Sequence, residues 1–171
     1  MKKIGGILFN IICLAIVVLV LAKKIPVWMD HFHNEGMAAK PFRVQNLAGD
    51  IVSLPLKDQK PAVLIFWATW CGPCHYQMVQ IQESINKKEI PADRVFAIDL
   101  GESRTEVADF VKKQNYTFPI FLDSENDVGR VYDIQGTPTL IHINSDGSIR
   151  WMTAGVNPMN GSKMKDLLGN L

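Results

Sequence analysis

From residue 41 onward the apolar positions switch between a period near two and a period near 3.6, which predicts alternating strands and helices. "FRVQNLAGDIVSL", residues 42 to 54, reads as two short strands about an Ala48-Gly49-Asp50 turn. "AVLIFWA", residues 62 to 68, is an unbroken apolar run, the pattern of a central strand covered on both faces. Directly after it, from Pro73, Met78, Ile81 and Ile85 recur at helical spacing, so a helix starts at the cysteines and ends near Lys88. The alternation continues with a strand over 94 to 100 and a helix that Ser103 and Glu106 open as a capping box. A strand at 119 to 123 and a short helix over 127 to 132 come next. "TPTLIHIN" and "SIRWMT" then flank Ser145-Asp146-Gly147 as a hairpin, and Ser162 opens a last helix that buries Met164, Leu167 and Leu168.

The N-terminal part follows another rule. Residues 4 to 22, "IGGILFNIICLAIVVLVLA", carry no charge, and as a helix they would span roughly 28 Å, close to the hydrocarbon thickness of a bilayer. The run is longer than a signal-peptide core and lacks a small-x-small cleavage pattern before Lys23 and Lys24, so an uncleaved anchor is expected. The predicted organisation is a cytoplasmic tail at 1–3, a transmembrane anchor at 4–22, an interfacial tether at 23–40 and a folded domain at 41–171. Trp28 and Phe32 suit the membrane boundary, while His31 and His33 read as solvated tether residues. The lysine pairs on the two sides of the run nearly balance, so flanking charge does not orient the anchor.

Four of the 18 Lys and Arg precede residue 25 and no acid does, leaving 14 cations against 17 anions, a balance of −3 for the remainder. Such a domain has no basic footprint for nucleic acid. Three cysteines are too few for a disulfide-stapled scaffold. Cys13 lies inside the apolar run and reads as a small buried side chain.

The chemistry lies in "FWATWCGPCHYQM", residues 66 to 78. Cys71, Cys74 and His75 spell C-x-x-C-H, the attachment pattern of a covalent haem, while the two cysteines alone spell a redox dithiol. A buried strand running into a helix within an alternating α/β domain fits the dithiol better. Unpaired N–H groups at a helix start carry partial positive charge and favour a thiolate on the first cysteine, which makes Cys71 the nucleophile. Thiols in such settings fall from about 8.5 to roughly 3.5–7.5, and two units are worth about 2.7 kcal/mol. Pro73 suits the first turn, where its missing N–H costs nothing, and Cys74 is placed to resolve a mixed disulfide on Cys71. His75 could tune Cys71 or simply be solvated. A structural zinc site would need a second ligand pair, which the chain lacks outside residues 71 to 75, so no metal and no cofactor are expected.

The run "FWATWCGPC", the downstream "GTPT" at 136 to 139 and the α/β order between them resemble the thioredoxin superfamily. The anchor and the additional strand and helix resemble its TlpA/ResA group of membrane-anchored thiol-disulfide oxidoreductases. The resemblance covers residues 41 to 171 and implies a three-layer α/β fold with a central mixed sheet, an N-terminal β-hairpin and an inserted βα element. It also implies a cis peptide bond at Thr137-Pro138, with Trp70, Gly72, Pro73, Thr137 and Pro138 contacting a polypeptide substrate. By the same resemblance the domain faces the periplasm or cell exterior of a bacterial cytoplasmic membrane, as a monomer on a single-pass anchor. Its clients would be thiols or disulfides of exported proteins, apocytochrome c among them, and a membrane electron carrier would reduce it. Two departures stand out. Thioredoxin proper has a buried aspartate where this chain has Ile65, and the TlpA/ResA group often has a glutamate where this chain has Gln77, which can hydrogen-bond but cannot act as a base. A peroxiredoxin would want a threonine where Ala68 stands. The alternative to an enzyme is a membrane-tethered module that uses the same cysteines to hold metal or haem without turnover.

Overall fold

A computed structural model describes residues 12–16, 18–20, 35–169 and 171. They fall into two compact units, Met1–Asn34 and Glu35–Leu171. In the first, residues 12–16 and 18–20 are helical, and Cys13 is exposed with a free thiol. Among the described residues no helix is long and apolar enough to cross a membrane, and most of the segment expected as the anchor, with His31 and His33, lies outside them.

The second unit is a seven-stranded sheet with helices on both faces. In chain order its strands are β1 (Phe42–Asn46), β2 (Ile51–Leu54), β3 (Ala62–Trp67), β4 (Val95–Leu100), β5 (Ile120–Asp123), β6 (Thr139–Ile143) and β7 (Ile149–Ala154). The helices are α1 (Gly72–Asn86), α2 (Arg104–Gln114), α3 (Asp127–Val131) and α4 (Asn160–Leu168). Across the sheet the order is β2-β1-β5-β4-β3-β6-β7. β3 pairs in parallel with β4 and antiparallel with β6, so the sheet is mixed and its centre is the continuous apolar run.

Every residue of β3 is buried, and strand alternation divides them between two cores. Val63, Ile65 and Trp67 pack with Met78 and Ile81 of α1, Val107 of α2 and Met164 of α4. Leu64 and Phe66 join Phe96, Ile141 and Phe121 on the opposite face, beside Tyr132 at the end of α3. The capping box on α2 forms as its sequence predicts: Ser103 Oγ accepts the N–H of Glu106, and the Glu106 carboxylate accepts the N–H of Ser103.

Two boundaries differ from the sequence reading. α4 starts at Asn160, two residues ahead of Ser162, where Asn157 Oδ1 accepts the N–H of Met159 at 2.9 Å and turns the chain earlier. The compact unit also takes in residues expected to be tether. Gly36 N donates to Ile149 O at 2.7 Å, Ile149 N to Met37 O at 2.7 Å and Ala39 N to Gly147 O at 2.9 Å, stitching this stretch to the start of β7.

Candidate active site around the Cys71–Cys74 disulfide

β3 ends at Trp67, and after four intervening residues the chain enters α1 at Gly72. Cys71 is the N-cap of α1, in extended conformation, and Pro73 occupies the first turn. The cap is made by sulfur: Cys71 Sγ accepts the N–H of Cys74 at 3.2 Å. The backbone carbonyl of Cys71 also takes the N–H groups of Cys74 and His75, at 3.0 and 3.2 Å. The positive end of the helix therefore points at the first cysteine, as its sequence position requires.

The two cysteines are joined as a disulfide, with Cα atoms 5.2 Å apart. Cys74 is fully buried and Cys71 is 4% exposed, so Cys71 alone of the pair touches solvent. Trp70, the residue before Cys71, is 75% exposed, and Tyr76 and Val79 are exposed further along α1.

The loop before β6 completes the site. Thr137-Pro138 is cis, as the resemblance implied. Phe66 stands opposite Thr139, so the chain leaving β3 toward Cys71 runs beside the chain that enters β6 from Pro138. Gly155 N donates to Pro138 O at 2.7 Å and ties this loop to the end of β7. Cys71, Cys74, Trp70, Gly72, Pro73, Thr137 and Pro138 thus come from one end of the central strands.

His75 and Gln77 are committed elsewhere. The ring Nε2 of His75 lies 2.6 Å from Thr69 O, and its ring packs on Phe110 with centroids 4.6 Å apart. Gln77 is fully buried; its Oε1 accepts from Asn160 Nδ2 of α4 at 2.8 Å, while its Nε2 has no hydrogen-bond partner among the described residues. Among the described residues no group of three or more His, Cys, Asp or Glu side chains could hold a metal ion.

The sequence reading missed Thr69, Glu102 and Asp99 here. Glu102 reaches across from the end of β4, and its carboxylate accepts the N–H and the O–H of Thr69, each at 2.5 Å. Beneath it Asp99, fully buried, accepts the N–H of Glu102 at 3.2 Å. Burial first, and then the neighbouring Glu102 carboxylate, push the Asp99 carboxyl up to about 8. The available signal was one acid inside the apolar run "VFAIDL".

Residues 36–152 match the AhpC/TSA family. The chain is 31% identical over 128 residues to sporulation thiol-disulfide oxidoreductase A of Bacillus subtilis, covering 73% of this chain and 76% of that one. It is 29% identical over 173 residues to thiol-disulfide oxidoreductase ResA of Bacillus thuringiensis, covering 98% and 95%. Among solved structures it is similar to StoA from Bacillus subtilis, with a TM-score of 0.63, 28% identity and coverage of 77% and 98%.

Proposed function

The chain belongs to the AhpC/TSA family and is thioredoxin-like, with relatives named thiol-disulfide oxidoreductases, and from that premise we propose that Cys71 and Cys74 exchange disulfides with exported proteins outside the cytoplasm. Thiol-disulfide oxidoreductase is the enzyme class. The observation that carries the residue assignment is the Cys71–Cys74 bond at the first turn of α1, with Cys71 as the cap and the less buried partner.

In the reducing direction the Cys71 thiolate attacks one sulfur of a client disulfide. A bond forms between Cys71 and that sulfur, the client S–S bond breaks, and the other client sulfur leaves as a thiolate that takes up a proton. Cys74 then loses its proton and attacks Cys71 Sγ. This regenerates the Cys71–Cys74 disulfide and releases the second client thiolate. The client gains two electrons and two protons, and a membrane dithiol carrier returns the enzyme to its reduced form. Gly72-Pro73 matches the dipeptide of thioredoxin and supports this direction. Exposed Trp70 and the Thr137-Pro138 loop contact the client backbone. The apolar segment 4–22 anchors the domain, which acts as a monomer on exported protein thiols, apocytochrome c being one candidate client.

The test is trapping in membranes with Cys74→Ser. A client held on Cys71 by a mixed disulfide, released by dithiothreitol and lost in the Cys71→Ser/Cys74→Ser double variant, supports the assignment. Stoichiometric metal or a covalent haem spectrum, with no reduction of protein disulfides by the wild type, overturns it in favour of a binding module.

A further inference from the structure

Thr69, two residues before Cys71, has all three of its polar groups engaged by side chains from elsewhere in the fold. Its N–H and O–H go to the two oxygens of Glu102, at 2.5 Å each, and its carbonyl takes His75 Nε2 at 2.6 Å. The turn behind Cys71 is closed by Cys71 N donating to Ala68 O at 3.2 Å. A residue held at three points has almost no rotational freedom, so the direction in which Trp70 and Cys71 leave Thr69 is set by Glu102 and His75.

Glu102 is itself held. Its N–H is bound by Asp99 Oδ1 at 3.2 Å, and its carbonyl accepts from Ser124 Oγ at 3.3 Å. Asp99 stands level with Trp67 in the β3–β4 pairing, on the face of the sheet that carries the disulfide. Its second oxygen, Oδ2, has no hydrogen-bond partner among the described residues. The groups whose charge acts on it are Glu102 from the loop and Glu106 from α2, both acidic, with His75 of α1 reaching the cluster through Thr69. A buried carboxyl facing two acids is stable as the neutral acid.

We propose that Glu102 and Asp99 form a carboxyl pair that positions the reactive loop: Glu102 clamps Thr69, and Asp99, kept uncharged beneath it, lets the clamp hold. The proposal rests on the dithiol chemistry above and assigns these two as positioning residues. The pair also makes the clamp sensitive to alkaline pH. Above about 8 Asp99 ionises, a second negative charge develops beside Glu102, and the loop loosens.

The experiment measures reduction of a protein disulfide by the reduced full chain in detergent, at pH values from 6 to 10, for the wild type, Glu102→Gln, Thr69→Val and Asp99→Asn. Glu102→Gln leaves one amide oxygen for two donors, so its rate falls by about tenfold at neutral pH, the order expected of a small displacement of a reacting group. Thr69→Val removes the O–H bond and falls in the same direction, and the double variant is no slower than Glu102→Gln because the two share one interaction. The wild-type rate declines above about pH 8 as Asp99 ionises, and Asp99→Asn moves that decline upward. Wild-type rates in Glu102→Gln and Thr69→Val, or an alkaline limb that Asp99→Asn leaves in place, overturn the proposal. A wild type that reduces no protein disulfide at any pH overturns the dithiol reading instead. Should Glu102→Gln fail to fold, Thr69→Val with the Asp99→Asn pH profile decides the matter.

Discussion

His142 offers the sharpest test of how this fold handles a buried base. It lies in β6, fully buried, opposite Val63 on one side and Trp151 on the other, and its ring meets Trp151 edge-on with centroids 5.6 Å apart. Neither ring nitrogen has a hydrogen-bond partner among the described residues. Burial first, then the charges of Lys163 and Arg150, lower its pKa from 6.5 to about 4. Both cations stand over Trp151, at 4.4 Å for Arg150 and 5.2 Å for Lys163, so the charges that act on the His142 ring are positive. The folded state therefore keeps His142 neutral through a window in which the unfolded chain takes up a proton. In that window the unfolded state binds more protons, so stability falls as pH drops from 6.5 toward about 4. A span of about 2.5 units at about 1.36 kcal/mol per unit amounts to roughly 3 kcal/mol. His142→Leu removes the group and with it this loss. Urea unfolding of the disulfide form at intervals between pH 4 and 7.5 is the assay, and about 3 kcal/mol corresponds to roughly 1–3 M in midpoint. The readout is the slope of the wild-type minus variant difference, since the variant also changes packing at every pH. If the two proteins lose stability in parallel across the window, the argument from burial is wrong.

Two further predictions concern the frame that holds the site. Leu64→Ala opens a cavity at the centre of β3, between Phe96 and Ile141 in register, and is expected to cost about 2–5 kcal/mol in chemical unfolding; a loss below about 1 kcal/mol would mean that the strand can collapse onto the gap. Ser103→Ala removes the side-chain acceptor of the α2 capping box and is expected to cost about 1 kcal/mol, most of which Ser103→Asp restores; equal stability of all three proteins would count against the cap.

The legible parts of the fold are those that local pattern determines. The apolar run of β3, the start of α1 at Cys71, the Ser103–Glu106 box and the Asp146-Gly147 hairpin turn each depend on residues within a few positions of one another, and the structure has them where the sequence puts them. α4 starts earlier than its pattern predicts, since Ser162 has the look of a cap while Asn157 makes the earlier bond. Contacts between distant residues were not legible. Glu102 reaches Thr69 across 33 positions and Gln77 reaches Asn160 across 83, and no periodicity encodes either meeting. Gln77 is instructive: its sequence position suggested a hydrogen bond near Cys74, yet its amide oxygen is held by Asn160 of α4. Asp99 could have been flagged as an acid in a strand with no room for water, but its partner could not have been named from the pattern.

The stitch of residues 36 to 39 onto the start of β7 has a further effect. β7 ends the sheet on that side, and an outermost strand offers its free N–H and C=O groups to any neighbour able to extend it. By occupying Ile149 from both its donor and its acceptor side, the protein fills part of that margin with its own chain. Many copies crowded onto one surface would meet there a seam already closed.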